Sequence, residues 1–125
     1  MTFPFVVKGT VIHGSGRGKK LGFPTANLAV PLPTNAAHGI YAAWVTGNTK
    51  KRYPAAVYWG TRPTFGDGEP VLEVYLLNES VDWYGLNITI QLESFIRADK
   101  TFASPTALAL QMKHDADAVA KALRV

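Results

Sequence analysis

Apolar residues along the chain keep two periods. Residues 3–12 are rich in aromatic and β-branched side chains, with Lys8 and Gly9 inside the run, and predict a strand. Residues 28–30 are apolar only briefly before Pro31-Leu32-Pro33 blocks regular hydrogen bonding, so residues 31–38 predict a loop. Residues 39–45 (Gly-Ile-Tyr-Ala-Ala-Trp-Val) and 53–59 predict two more strands. Between them, residues 46–52 carry Gly47-Asn48 and the cations Lys50, Lys51 and Arg52, the composition of an exposed hairpin tip. Gly60 and Pro63 bound a loop over residues 60–66. Residues 71–77 predict a strand in which Glu73 is the one charge. Residues 86–95 alternate, with Ile88, Ile90 and Leu92 on one face and Asn87, Thr89, Gln91 and Glu93 on the other. The period then changes. Ser104 reads as an N-cap with Pro105 at the first helical position, and Leu108, Met112, Val119 and Leu123 supply a broken apolar stripe. Lys121 and Arg124 suit the negative end of that helix's dipole. About six strands followed by one helix predict a mainly β fold: a small closed antiparallel barrel of Greek-key type, its open side covered by a C-terminal α-helix.

Composition narrows the class. The chain has 125 residues, 47% hydrophobic and 18% charged, which suits one soluble domain spanning residues 1–125 with a core of its own. No cysteine is present, which excludes disulfides and thiolate metal sites. No apolar run approaches a membrane span and the N-terminus lacks the pattern of a leader, so a cytoplasmic protein without membrane contact is expected. A net charge of +4 favours anionic partners, nucleotides and nucleic acids alike.

The candidate chemistry lies in residues 14–27, Gly-Ser-Gly-Arg-Gly-Lys-Lys-Leu-Gly-Phe-Pro-Thr-Ala-Asn. Gly14, Gly16 and Gly18 allow main-chain N–H groups to approach a polyphosphate, and Arg17, Lys19 and Lys20 place positive charge among them. Thr25 and Asn27 offer a hydroxyl and an amide oxygen two positions apart, hard ligands suited to Mg²⁺. The spacing is that of neither a Walker A loop nor a dinucleotide fingerprint. Taken alone, the glycines fit a basic connecting loop equally well. His13 is paired with no carboxylate in the sequence and reads as a polar strand end.

Gly9, His13-Gly14, Gly16-Arg17-Gly18 and Leu21-Gly22-Phe23-Pro24-Thr25-Ala26-Asn27 resemble the signature of riboflavin kinases. The similarity continues through Gly39-Ile40-Tyr41-Ala42, Gly60-Thr61-Arg62-Pro63-Thr64-Phe65, the position of Glu73, Trp83-Tyr84-Gly85, and Phe95-Ile96-Arg97 with Lys100 and Phe102. The resemblance implies a transfer of the γ-phosphate of ATP to the ribityl 5′-hydroxyl of riboflavin, giving FMN and ADP, with Mg²⁺ as cofactor. It implies Glu73 as the base, and a nucleotide site of Gly14, Gly16, Gly18, Lys19, Lys20, Thr25 and Asn27. Thr25 and Asn27 would hold the metal, and Tyr84, Arg97 and Phe102 the flavin.

Five positions depart from the family pattern. Tyr58 and Trp59 stand where a small polar and an aliphatic residue are usual, Tyr75 where a histidine is common, and Ala98-Asp99 where Pro-Glu is usual. Bacterial bifunctional FAD synthetases carry an adenylyltransferase module with a His-x-Gly-His motif ahead of the kinase; His13-Gly14 has no second histidine after it. FAD formation is therefore not expected, whether the chain is a stand-alone kinase or one module of a longer enzyme. The rival reading is a non-catalytic flavin-binding regulator, which would have no need of Glu73, Thr25 and Asn27. An RNA-binding module ranks last, because the cations cluster in the glycine loop and one hairpin tip rather than interleaving with aromatics on an open sheet face. No protein partner is implied.

Overall fold

Six strands close on themselves in a computed structural model that describes residues 1–12, 26–29, 32–33, 35–61 and 70–125. The elements are β1 (Phe5–Ile12), β2 (Ala26–Leu28), β3 (Gly39–Thr46), β4 (Arg52–Gly60), β5 (Val71–Leu76), β6 (Asn87–Ala98) and α1 (Pro105–Leu123). Around the barrel the order is β1-β2-β5-β4-β3-β6, and every neighbouring pair is antiparallel. Strands β3, β4 and β5 follow one another as neighbours while β6 returns to lie beside β3. That is the Greek-key arrangement expected from the sequence.

The barrel has two apolar layers. Inside it, Val7, Val11, Leu28, Tyr41, Val45, Val57, Trp59, Leu72, Val74, Ile88, Ile90 and Leu92 form the larger cluster. Outside, Ile40, Ala42, Ala56, Tyr58, Tyr75 and Leu77 pack against Leu108, Met112 and Val119 of α1. Strands β3 and β4 are thus covered on both faces, and so their sequences are almost continuously apolar rather than alternating. The alternation read in β6 holds where that strand is covered on one face only: Ile88, Ile90 and Leu92 are buried in the interior.

The helix begins and ends as its sequence indicates. Ser104 is the N-cap, its Oγ accepting from the Ala107 N–H at 3.1 Å, with Pro105 following. Arg124 adopts a left-handed conformation, and the N–H groups of Arg124 and Val125 close the last turn on Lys121 and Ala120. One strand was not legible. Ala26–Leu28 is three residues long, too short to show a period, yet it bridges β1 and β5 and completes the barrel. Among the described residues no helix is long and apolar enough to cross a membrane.

Candidate active site

The register of the strands assembles the site. Directly opposed residues of an antiparallel pair project to the same face with Cβ atoms about 4.5–5.5 Å apart. Asn27 on β2 faces Glu73 on β5, Glu73 faces Tyr58 on β4, Tyr58 faces Ile40 on β3, and Ile40 faces Arg97 on β6. Leu72 and Val74, to either side of Glu73, belong to the interior, so this row lies on the outer face, where α1 packs. Residues separated by up to seventy positions in sequence become a single line of side chains.

Glu73 is buried at 6% exposure and lines a cleft between barrel and helix, with Tyr58, Tyr75, Arg97, Phe102 and Asp115 among its walls. The cleft encloses about 360 Å³ of empty space, part of it open to solvent. A carboxylate in an apolar strand is thereby accounted for: it faces a cleft with polar groups in its walls rather than the core. Asn27, likewise buried, stands on the next strand beyond Glu73. Its amide oxygen beside a carboxylate is a hard-oxygen pair that fits Mg²⁺, which takes few protein ligands and completes its shell with water and substrate phosphates. Among the described residues no three His, Cys, Asp or Glu side chains gather into a metal centre, so a cation here would depend on that kind of sparse ligation.

Of the flavin candidates, Arg97 and Phe102 line the cleft with Glu73, whereas Tyr84 is not among its lining residues. Tyr84 is exposed in the β5–β6 connection, where the Gly85 N–H donates to the Val11 carbonyl near the end of β1. Arg97 is held firmly. Its Nε and Nη2 donate to the two oxygens of Asp115, both at 2.7 Å, and Nη1 donates to the Ala98 carbonyl at 3.1 Å. Its guanidinium carbon lies 5.9 Å from the centre of the Phe102 ring. Gly14, Gly16, Gly18, Lys19, Lys20 and Thr25, together with His13 and most of the loop at 60–66, lie outside the described residues.

Two of the positions that depart from the family pattern, Tyr58 and Asp99, are bonded to each other. The Tyr58 hydroxyl donates to Asp99 Oδ2 at 2.6 Å, and the Tyr75 hydroxyl donates to the Met112 carbonyl of α1 at 3.0 Å. A Cβ on Gly60 would meet the Tyr58 hydroxyl at 2.4 Å, so the glycine makes room for the larger side chain. Tyr58→Phe should therefore lower the urea-unfolding free energy by about 1–2 kcal/mol, the lower part of the range for a bond to a charged acceptor, because Asp99 is half-exposed and water can replace the lost donor. An unchanged midpoint would show that the bond contributes nothing to holding residues 97–99 on the barrel.

Asp115 was missed from sequence. It occupies the gap in the helix stripe between Met112 and Val119, and is 2% exposed beneath Arg97. A carboxylate at the core-facing position of an amphipathic helix was the available signal, readable only with a basic partner already placed opposite. At the hairpin tip two of the three cations, Lys51 and Arg52, are engaged. Lys51 Nζ lies 3.2 Å from Glu79, which raises its pKa, and Arg52 stacks on Trp44 at 4.3 Å.

Comparison with known proteins agrees with this geometry. The family profile described as Flavokinase: Riboflavin kinase matches residues 1–123. The bifunctional riboflavin kinase/FMN adenylyltransferase of Escherichia coli K12 is 38% identical over 112 residues, covering 90% of this chain and 36% of the relative. The RNA-binding riboflavin kinase RibR of Bacillus subtilis is 34% identical over 117 residues, covering 93% of this chain and 50% of the relative. A solved Streptococcus pneumoniae structure, described as a macrolide-efflux protein, superimposes with a TM-score of 0.80 at 31% identity, over 93% of this chain and 38% of that one. The chain thus spans between about a third and a half of these proteins' length. With its Greek-key barrel, its helix-covered cleft and its near full-length match to the profile, this chain belongs to the riboflavin kinase family.

Proposed function

We propose that this chain is an ATP-dependent riboflavin kinase, converting riboflavin and ATP to FMN and ADP, with Glu73 as general base. The observation that carries the reading is the cross-strand neighbourhood of Asn27 and Glu73, one a metal-compatible amide, the other a cleft-facing carboxylate. Glu73 accepts the proton of the ribityl 5′-hydroxyl as that oxygen forms a bond to the γ-phosphorus, and the bond from the γ-phosphorus to the bridging oxygen of ADP breaks. Arg97 and Phe102 bound the flavin's side of the cleft.

Phosphoryl transfer of this kind depends on positioning and charge neutralisation. Lys19, Lys20 and the main chain around Gly14, Gly16 and Gly18 supply these for the nucleotide. Thr25 and Asn27 would hold Mg²⁺, which when bound neutralises phosphate charge. The cytoplasm, where ATP and riboflavin meet, is the compartment this reading implies. Nucleic acid and partner proteins have no part in it, and neither does FAD formation.

The test is an assay of the purified protein with riboflavin, ATP and Mg²⁺, separating FMN from riboflavin by chromatography. Metal-dependent FMN formation is expected. Flavin binding detected by fluorescence quenching, with no FMN at any metal concentration, would replace the kinase with a flavin-binding regulator.

A further inference from the structure

Arg97 and Asp115 make a contact whose form exceeds what docking a helix requires. Apolar packing of Leu108, Met112 and Val119 on the barrel already buries the helix stripe. Asp115 nevertheless sits in that stripe as a nearly inaccessible carboxylate, and desolvating it is costly unless its oxygens are fully bonded. They are. Oδ1 accepts from Arg97 Nε at 2.7 Å and from Gln111 Nε2 at 2.9 Å, and Oδ2 accepts from Arg97 Nη2 at 2.7 Å. The carboxylate is itself held in orientation by its neighbour one helical turn earlier.

This grip acts on a residue at the end of the row that contains Glu73. A guanidinium carries five N–H donors in a fixed fork. Asp115 takes two and the Ala98 carbonyl a third, all from Arg97. The remaining two belong to Nη1 and Nη2 of a side chain that lines the same cleft as Glu73 and keeps 19% exposure. Because the fork is planar, fixing Nε and Nη2 on one carboxylate fixes the orientation of the other N–H groups as well. The Phe102 ring lies within cation–π range of the guanidinium.

We propose that Asp115 is a positioning residue for the flavin subsite: through its bidentate bond it orients Arg97 so that the remaining N–H donors meet an acceptor oxygen of the flavin substrate. The inference rests on the kinase reading for the identity of that substrate. It assigns α1 a part in ligand recognition and separates that part from the helix's packing on the barrel.

The experiment compares the parent full chain with three variants: Asp115→Asn, Arg97→Met and the pair Arg97→Met/Asp115→Leu. The readouts are riboflavin Kd by flavin fluorescence, KM for riboflavin, KM for ATP, kcat and thermal midpoint. Asp115→Asn is expected to weaken riboflavin binding about ten- to hundredfold, the value of a bond to a charged group, with the ATP KM changed less than about twofold. The paired variant removes both charges together, so its helix stays docked and its midpoint stays near the parent's. Its riboflavin Kd should match that of Arg97→Met alone, because Asp115 acts only through Arg97.

Three results from the variants overturn the proposal. Unchanged riboflavin affinity in Asp115→Asn shows that orientation is irrelevant, and recovery of affinity in the paired variant shows that the contact serves stability alone. Multiplicative losses in the pair would mean that Asp115 acts independently of Arg97. Fluorescence does not depend on turnover, so a chain that binds riboflavin without making FMN ends the kinase reading but leaves this test intact. A chain that binds no riboflavin ends both.

Discussion

Glu73→Gln is expected to lower FMN formation by about 10²–10⁴-fold while riboflavin affinity stays close to that of the parent protein. The amide keeps the shape of the carboxylate, so the row from Asn27 to Arg97 and the packing of the cleft are preserved. What it loses is the lone pair that takes the proton of the attacking hydroxyl. The substitution leaves the proposed nucleotide-binding residues unchanged, so the loss should fall on kcat rather than on KM for ATP. Single-turnover quench experiments, with FMN quantified by chromatography, separate chemistry from product release. A variant that retains more than about a tenth of the parent rate removes Glu73 from proton transfer. The cleft would then have to supply another base from its walls.

Gly39→Ala is expected to produce the largest loss of stability from a single methyl group. Gly39 opens β3 with φ at 155°, a conformation side-chain-bearing residues rarely adopt, and it pairs with Ala98 at the end of β6. A Cβ there would lie 2.0 Å from the Arg97 carbonyl oxygen and 3.0 Å from the Ala98 Cα. Both obstacles are backbone, so no rotamer change relieves them. Strain and overpacking together predict a loss of about 2–4 kcal/mol, or a drop of roughly 10 °C in thermal midpoint for a domain of this size. The displacement also has a direction: relieving the clash pushes Arg97 away from β3, and with it the guanidinium held by Asp115. Riboflavin KM should therefore rise in whatever fraction stays folded. A midpoint within a degree or two of the parent would show that β6 can move aside at this point without cost.

The two predictions meet at one feature. The close approach of β6 to β3 at Gly39, the Asp99 N–H bonded to the His38 carbonyl at 3.0 Å, and the bond between Tyr58 and Asp99 all hold residues 97–99 against one end of the barrel. The irregular pairing of β3 with β6 between Ile40 and Tyr41 lies beside it. Bulged pairings re-aim side chains near sites. Here the segment so aimed carries Arg97 into the cleft.

Much of the architecture was written locally. Period-two apolar runs, turn residues at Gly47-Asn48, and the Ser104-Pro105 start of α1 depend only on near neighbours in the chain, so they could be read one segment at a time. Glu73 stood out for the same reason, a charge within an apolar run. The short strand β2 and the outward facing of Asn27 could not be read, because three residues show no period and their pairing is decided by strands far away in sequence. Asp115 was illegible for a related reason: a buried carboxylate is tolerable only beside its cation, and Arg97 reaches it across the joint between barrel and helix. The sequence by itself determined the class of fold and every element but β2, and it marked Glu73 as a charge within an apolar run. The tertiary structure alone decided which residues share a face, since strand register, unlike strand propensity, is settled by the closure of the whole barrel.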